Sequence, residues 1–334
     1  MGTELPVAVV YINDRNYHEI TMFSAASLCH FHKSPLDIHL FQVGYSQEPP
    51  EELRAYAASR GIRLITLPMS PEEAQLPSAS LGNLHGHISS VTLLKAAAIE
   101  RIAADHERIV YLDGDVLACR EIDFAAAFAF TTSMAGVHDF VSYMPYDGQD
   151  LIGHATATGR SPDYFNAGLI LISGPRWKDR SFGARYLAAL ESHATHCPWR
   201  HDEHGAYPGG CKGADQCAFN IAAEHDWTPL DFRWNAQKPV RHTPVWRDAF
   251  LRHYTGPAKF LAASPRTRDR VEHRVLRRIE RETGLFSGSR RRFLAGVPFM
   301  LDNLRLRAVT RNYHKVFARL APLAPADRQS ADPA

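Results

Sequence analysis

The stretch Glu107-Arg-Ile-Val-Tyr-Leu-Asp113-Gly-Asp115-Val-Leu-Ala-Cys119 decides the fold of this chain. Ile109 to Leu112 form a β-branched and apolar run, which predicts a strand buried on both faces. Asp113 and Asp115 follow where that strand should end, and in extended chain they lie on one side. Gly114 between them lets the backbone bend and brings a ligand close. This arrangement of carboxylates suits a hard divalent cation that also holds substrate phosphates.

Two other interpretations of the acidic pair stay open at this point. Asp and Gly are common in solvated turns wherever a strand stops. Asp-x-Asp after a buried strand also occurs in phosphatases of the haloacid dehalogenase kind, whose motif continues Gly-Thr. Here Val116 and Leu117 follow, which counts against a phosphatase.

Length and composition are those of a globular protein, with 334 residues and 45% apolar side chains. No stretch approaches the ~20 apolar residues of a membrane-spanning helix, and residues 1–10 lack the regions of a secretory signal. We therefore expect a cytoplasmic protein. The five scattered cysteines do not suggest a disulfide framework.

The net charge of +2 hides an asymmetry along the chain. Residues 266–319 carry 15 Arg or Lys against 5 Asp or Glu, whereas residues 1–265 carry 22 against 29. A nucleic-acid-binding domain would more often spread basic residues and stacking aromatics over its folded part, so we expect no nucleic-acid partner. The basic segment is expected to be an appendage.

This basic segment suggests attachment to an anionic membrane surface. An Arg-rich helix is predicted over residues 266–282, and apolar residues recur at helical spacing between Arg and Lys up to residue 320. Peripheral attachment to the inner face of the membrane is therefore expected. A solvated helix packed on the catalytic body is the alternative. Residues 321–334, rich in Ala, Pro and Asp, are expected to be disordered.

Strands and helices alternate in the first part of the chain. Strands are predicted at Val7–Ile12, Asp37–Val43 and Ile62–Leu67, and helices at Glu19–His32 and Pro50–Arg60. This alternation predicts an α/β fold with a mainly parallel sheet. In such sheets ligands bind beyond the carboxyl ends of the strands.

Polar residues near those strand ends are candidates for binding a nucleotide. Asp14 and Tyr17 follow the first strand and suit a base edge and a base face, although an Asx turn alone would explain Asp14. Lys95 lies on a helix predicted over residues 87–102. It would meet a phosphate if it faced the metal, and a solvated charge is the alternative.

Later segments add further candidates. Asn166 and Ala167 stand just before a predicted apolar strand, where small residues let a ligand approach. Asp215, beside Gln216, begins a predicted helix, and an N-cap is its simpler role. His253 offers an imidazole for a metal. Several His and Cys residues cluster over residues 193–217, so a structural zinc site is a possible interpretation. Their spacing matches none of the usual zinc patterns cleanly.

In their order and spacing, seven segments resemble the retaining glycosyltransferases of family 8, the lipopolysaccharide galactosyl- and glucosyltransferases and their glycogenin-like relatives. The resemblance covers roughly residues 5–262. The segments are Asp14-Arg-Asn16-Tyr17, His87-Ile-Ser89, Tyr111-Leu-Asp113-Gly-Asp115-Val, Phe165-Asn166-Ala167-Gly168, Asp215-Gln216, Trp234-Asn235 and His253-Tyr-Thr-Gly256-Pro-Ala-Lys259.

The resemblance implies a GT-A catalytic domain over residues 1–262, Rossmann-like with a mixed sheet flanked by helices, and a basic extension over 263–320. It implies a UDP-hexose donor, UDP-galactose or UDP-glucose, and a glycan or lipid-linked acceptor in bacterial cell-surface polysaccharide or lipopolysaccharide synthesis. Mn²⁺, or Mg²⁺ in its place, would be held by Asp113, Asp115 and His253.

The resemblance also implies roles for the matched residues. Uracil would meet Asp14 and Tyr17, with Asn16 near by, and Gly256 and Lys259 would meet the diphosphate. The donor sugar would be lined by Asn166, Ala167, Asp215 and Gln216, of which the last two are the expected catalytic residues; His87 and Gly114 complete the expected donor site. The family usually supplies an Arg near position 95, whereas Lys95 makes a point contact rather than a bidentate one.

Retention of configuration requires a double displacement or attack from the face of departure. Gln216 is a poor nucleophile and Asp215 suits sugar hydroxyls, which favours same-face attack with a diphosphate oxygen as base. A non-catalytic UDP-sugar-binding module is the alternative from another functional class.

Overall fold

A computed structural model of the protein describes residues 6–74, 76, 90–139, 164–195, 214–241, 243–256, 259–262 and 269–285. Several sequence-based predictions lie outside these residues. They concern His87, most of the segment proposed for zinc, and residues 286–334 with their membrane-binding pattern and disordered tail.

Ten strands form two sheets in the described residues. The strands are β1 (Val7–Asn13), β2 (Leu36–Val43), β3 (Ile62–Met69), β4 (Arg108–Leu112), β5 (Val116–Ala118), β6 (Met134–His138), β7 (Phe165–Ser173), β8 (Trp227–Pro229), β9 (Ala236–Gln237) and β10 (Leu251–His253). The larger sheet has the order β3-β2-β1-β4-β7-β6-β8, and the smaller has the order β5-β10-β9.

Nine α-helices lie within the same described ranges. They are α1 (His18–Phe31), α2 (Glu51–Ala58), α3 (Lys95–Ala103), α4 (Phe124–Ala127), α5 (Gly174–Asp179), α6 (Phe182–Thr195), α7 (Ala214–Ala223), α8 (Pro244–Asp248) and α9 (Arg270–Thr283). None of the described helices is long and apolar enough to cross a membrane.

Both faces of the larger sheet are covered by helices. Along β1, Val9 and Tyr11 join a core with α1 and α2, while Val10 and Ile12 join a second core with α3, α6 and α7. Strands buried on both sides are mostly apolar, which is why β1 and β4 appear in the sequence as apolar runs, although β2 also buries Asp37, His39 and Gln42. The predicted fold class, an α/β fold with a mainly parallel mixed sheet flanked by helices, is confirmed.

Strand directions bring the candidate site residues to one edge of this sheet. β1, β2, β3 and β4 are mutually parallel, so their carboxyl ends lie together. β7 is antiparallel to β4, with Leu112 opposite Leu169, so β7 begins where β4 ends. The residues that follow β1 and β4 therefore meet the first residues of β7.

Two predicted elements differ from the structure. The helix expected over 87–102 has, in its described part, a 3₁₀ turn at Ser90–Leu94 before α3 begins. The β-branched side chains of Val91 and Thr92 disfavour a regular helical turn there. Asn166 and Ala167 lie inside β7 rather than before it, since β6 extends the pairing past a register shift to Val137 opposite Asn166.

The first helix of the basic segment packs on the α/β body. α9 contacts α1 and α2 and buries Val275, Leu276 and Ile279. Its fully buried Glu272 lies 3.0 Å from the Arg241 guanidinium and is also close to the buried Arg252. The expected domain boundary at residue 262 stays a prediction.

We expect the conservative change Glu272→Gln to lower the free energy of unfolding by about 3 kcal/mol, because it removes the carboxylate charge that the buried Arg241 guanidinium contacts at 3.0 Å, whereas Arg252 keeps Asp269 at 2.7 Å. Arg277→Ala is the control, since it removes only an exposed contact to Glu280 on the same helix and should cost under about 0.5 kcal/mol. Urea unfolding measures both. Equal effects of the two variants would mean that the buried pair does not stabilise the fold.

Candidate active site

The turn between β4 and β5 carries the acidic pair and is held by backbone hydrogen bonds. The Asp113 N–H donates to the Gly168 carbonyl at 2.9 Å, and the Tyr254 N–H donates to the Asp115 carbonyl at 3.1 Å. A Cβ at Gly114 would lie 2.3 Å from Thr21 Oγ1 of α1, so only glycine fits between the two acids. Gly114, which was expected to let a ligand approach, thus also lets α1 pack against the acidic turn.

His253 of β10 completes a compact group of possible metal ligands. Candidate ligand atoms of Asp113, Asp115 and His253 all lie within 4.8 Å of one another. His253 Nε2 is 3.3 Å from Asp115 Oδ1, a buried atom without a hydrogen-bond partner among the described residues. On its other side the ring contacts Asn235 Oδ1 through Nδ1 at 3.1 Å. The site therefore presents two carboxylates and one imidazole nitrogen to a common centre.

Lys95 is buried between two carboxylates, so the alternative of a solvated charge does not hold. Its Nζ lies 2.9 Å from Asp113 Oδ1, 2.8 Å from Asp215 Oδ2 and 4.9 Å from the centre of the Tyr111 ring. Burial alone would lower the pKa of Lys95, but the two carboxylates outweigh it and the pKa lies above its usual value. Burial raises the pKa of Asp215, and Lys95 only partly offsets this. Lys95 thus links the acidic turn to the start of α7.

Lys259 forms a second cationic contact with the acidic turn. Its ammonium binds the Asp115 carboxylate, donates to the Tyr254 carbonyl at 3.1 Å and lies 5.7 Å from the centre of the Tyr17 ring. Burial would raise the pKa of Asp115, yet Lys259 reverses this and holds that pKa below its usual value. Gly256, which has φ +78°, lies three positions after His253.

The loop after β1 lies beside Lys259. Asp14 Oδ1 accepts hydrogen bonds from the backbone N–H groups of Asn16 and Tyr17, at 2.9 and 3.0 Å. This is the Asx turn that the sequence allows as an alternative to a contact between Asp14 and a nucleotide base. Tyr17 is 38% exposed, so its ring is available on one side. The Asx turn fixes the start of α1.

A network of amide side chains joins the acidic turn to α7. Gln216 Oε1 accepts from Asn166 Nδ2 at 3.0 Å and from the Ala167 N–H at 3.1 Å, and Gln216 Nε2 donates to Asp139 at 3.1 Å. Asn166 Oδ1 in turn accepts from Asn235 Nδ2 at 2.9 Å. Asn235 is the residue that contacts His253, so a continuous chain of hydrogen bonds runs from the imidazole to Gln216.

Sequence reasoning placed most of these residues but missed others. Asp139 was not a candidate, although it follows β6 as Asp113 follows β4, and an acid at the end of a buried strand was the available signal. Asn235 appeared only as part of a motif. The Tyr111 hydroxyl donates to Asp113 at 2.8 Å. No local sequence feature distinguishes Tyr111 from a core tyrosine.

The chain matches a known protein family over most of its length. The sequence profile described as Glycosyl transferase family 8 matches residues 8–260. The chain belongs to glycosyl transferase family 8. It is therefore a glycosyltransferase, as the seven segments predicted, and the phosphatase and the non-catalytic module are set aside. No curated protein sequence matches the chain.

Solved structures show the same fold at low sequence identity. An active-site mutant of LgtC with Glu in place of Gln has 22% identity and a TM-score of 0.57, over 81% of this chain and 94% of that chain. The galactosyltransferase LgtC in complex with donor and acceptor sugar analogues has 21% identity and a TM-score of 0.53, over 83% and 95%. The bifunctional glycosyltransferase WbbM has 14% identity and a TM-score of 0.51, over 79% and 48%. These likenesses confirm the GT-A fold.

Gly168→Ala should inactivate the transferase without unfolding it. A Cβ at Gly168 would lie 2.1 Å from His253 Cε1, so the imidazole has to leave its position beside the two acids. We expect kcat to fall on the order of 10²-fold, the usual consequence of a displacement of about 1 Å in an active site. Sugar transfer and far-ultraviolet circular dichroism are measured together.

Gly136→Ala in the neighbouring strand is the matched control, because its Cβ would meet Phe165 at 3.3 Å, away from His253. If the Gly168 variant is folded and as active as Gly136→Ala, the position of His253 is not important for transfer.

Proposed function

We propose that the protein transfers a hexose, galactose or glucose, from a UDP-sugar to a glycan or lipid-linked acceptor of a bacterial surface polysaccharide or lipopolysaccharide, with retention of configuration. The observation that carries this proposal is the group Asp113, Asp115 and His253 with Lys95 and Lys259 against its carboxylates. Family membership supports a UDP-sugar donor. A relative of the same fold, LgtC, is a galactosyltransferase crystallised with donor and acceptor sugar analogues.

The residues at the acidic turn fit a divalent cation. Asn235 donates to Asn166 through its amide nitrogen, so its oxygen accepts a hydrogen bond from the N–H at His253 Nδ1. In a neutral imidazole Nε2 then carries a lone pair, and it faces the buried Asp115 Oδ1, which has no hydrogen-bond partner in the described structure. Two acceptors that face each other suit a cation between them. Two carboxylates among the three candidate ligands suit Mn²⁺ or Mg²⁺, the hard divalent cations that carboxylate oxygens bind.

A cation held by these residues would supply positive charge to the leaving diphosphate. The chain itself offers two further positive charges. Lys259 lies between the Tyr17 ring and Asp115, a position suited to a diphosphate that joins a base to the metal. Lys95 lies between Asp113 and Asp215, a position suited to the junction of diphosphate and sugar. Fixed charges of this kind stabilise a leaving anion without having to take up a proton.

The amide network supports same-face attack over a double displacement. Gln216 Oε1, the candidate nucleophilic atom, already accepts two hydrogen bonds from Asn166 and Ala167. A carbonyl oxygen has two lone pairs, so attack on a sugar would require at least one of these bonds to break. The Asp215 carboxylate is held by Lys95. We therefore infer that Gln216 and Asp215 position the sugar, and that a diphosphate oxygen accepts the acceptor hydroxyl proton.

Removal of metal and of its proposed ligands tests the proposal. UDP release from UDP-galactose or UDP-glucose with Mn²⁺ should cease in EDTA and return when Mn²⁺ is restored. Asp113→Asn and Asp115→Asn should each reduce turnover by at least about 10²-fold, since each removes a ligand charge while volume hardly changes. The exposed Asp105→Asn on the approach to the same strand is the control and should keep full activity. Turnover that is insensitive to EDTA would contradict the metal assignment.

We also propose that the basic segment attaches the enzyme to an anionic membrane surface. Residues 266–319 carry 15 Arg or Lys against 5 Asp or Glu. Each basic residue near an anionic surface contributes on the order of 1 kcal/mol, and salt screens this attraction. Attachment would keep the active site beside a lipid-linked acceptor.

Flotation with liposomes measures this attachment. We expect recovery with anionic vesicles that falls as salt rises, and loss of binding when Ser287 to Ala334 is removed. That deletion begins beyond α9 and so keeps the buried contacts of Glu272. UDP-hexose hydrolysis should persist in the truncated protein. Equal recovery with neutral vesicles, or no loss on truncation, would show that attachment does not depend on this charge.

A further inference from the structure

A second group of potential metal ligands lies at the opposite edge of the larger sheet. Asp37 and His39 are two residues apart on β2, so both point to the face that α3 covers. His106 lies in the loop just before β4. In the sheet order, β1 separates these strands, with Ala8 opposite Asp37 on one side and Ile109 on the other. Since the candidate active site follows the carboxyl ends of β1 and β4, this group is separate from it.

Three imidazole nitrogens of this group are buried and lack hydrogen-bond partners among the described residues. Two belong to His39, which is 6% exposed. His106 Nδ1 is also buried and without a partner among the described residues. The two rings meet edge to face, with centroids 5.3 Å apart. Buried polar groups normally have a hydrogen-bond partner. Two adjacent imidazoles whose nitrogens have none among the described residues therefore indicate a binding site for a ligand.

Distance and chemistry indicate what this ligand is. Candidate ligand atoms of Asp37, His39 and His106 all lie within 4.8 Å of one another. Two imidazoles and one carboxylate form a set typical of Zn²⁺ and of Co²⁺ or Ni²⁺, whereas Mg²⁺ prefers oxygen alone. The acidic turn, with two carboxylates and one imidazole, has the opposite balance. We propose that Asp37, His39 and His106 form a second, structural cation site that takes Zn²⁺.

Arg63 is compatible with this site. Its Nε donates to Asp37 Oδ1 at 2.6 Å, and its Nη2 contacts Asp37 Oδ2. A carboxylate offers about four lone-pair sites, so Asp37 can hold the guanidinium and still bind a cation. The Arg63 side chain is 69% exposed, so it can move without opening the core. Arg63 would then orient the carboxylate, as outer partners of metal ligands commonly do.

Such a cation would connect β2 to the loop before β4 across β1. This loop connects α3, which begins with Lys95, to β4, which ends at Leu112 just before Asp113. The site would therefore stabilise the strand that precedes the acidic pair without taking part in the chemistry. No residue of the candidate active site is among its ligands.

Counting bound zinc in the full-length, untagged protein tests the proposal. After treatment with EDTA, the protein is dialysed against Zn²⁺ and its metal content is measured. His39→Gln and His106→Gln should each bind one equivalent fewer than the unaltered protein. His273→Gln is the matched control, because this ring on α9 also has a buried Nδ1 that finds no partner in the part of the chain that the structure describes, but lies outside the group. Any zinc at the acidic turn or at residues 193–217 contributes equally to every variant.

Co²⁺ and thermal unfolding provide independent readouts. The Co²⁺ absorption of the second site should persist in Asp115→Asn and be lost in His106→Gln. Zn²⁺ should raise the melting temperature of the unaltered protein more than that of His106→Gln. If His39→Gln fails to fold, the zinc content of His106→Gln tests the proposal, because His106 is less buried. A folded His106→Gln that binds as many equivalents of Zn²⁺ as His273→Gln would overturn the proposal.

Discussion

The placement of Lys95 between Asp113 and Asp215 is the interaction on which the site depends. Three carboxylates, these two and Asp115, are brought close together at one edge of the sheet. Like charges in a buried place repel, and their desolvation is costly unless cations compensate. Lys95 neutralises one side of the group and Lys259 the other. Without them the acidic turn and the start of α7 would have to separate, and the remaining amide contacts would lose their geometry.

Chain topology explains why distant segments of sequence provide this balance. Parallel β1 and β4 end at one edge, and antiparallel β7 begins there. The small sheet adds His253, because β10 pairs with β5 directly after the acidic turn. Asp14, Asp113, Asp115 and His253 therefore lie at or next to strand ends that the sheet order fixes, whereas Lys95 and Asp215 come from the starts of α3 and α7. The chemistry requires groups from several segments, and one sheet edge is where this connectivity makes them meet.

Much of this arrangement could be predicted from sequence. The parts that could not be predicted depend on tertiary packing and on the order of strands in the sheet. Local patterns sufficed for the strand before Asp113, for the alternation of strands and helices, and for an acid pair suited to a cation. They could not show that Lys95 is buried, because its helix has both polar and apolar neighbours and only tertiary packing selects which face the lysine takes. They also missed Asp139, whose partner Gln216 is 77 positions away. Such pairings depend on sheet order, which no local window contains.

The direction of the amide network is fixed by the backbone, and this gives His253 its protonation pattern. The Gly168 N–H can only donate, so the Asn166 atom that it meets at 3.0 Å must be the amide oxygen. That oxygen also receives a bond from Asn235, which must therefore present its nitrogen there and its oxygen to His253. In the neutral imidazole the proton consequently belongs on Nδ1, and Nε2 is left with a lone pair toward Asp115. The backbone amide of Gly168 thus determines which ring nitrogen of neutral His253 can serve a cation at the acidic turn.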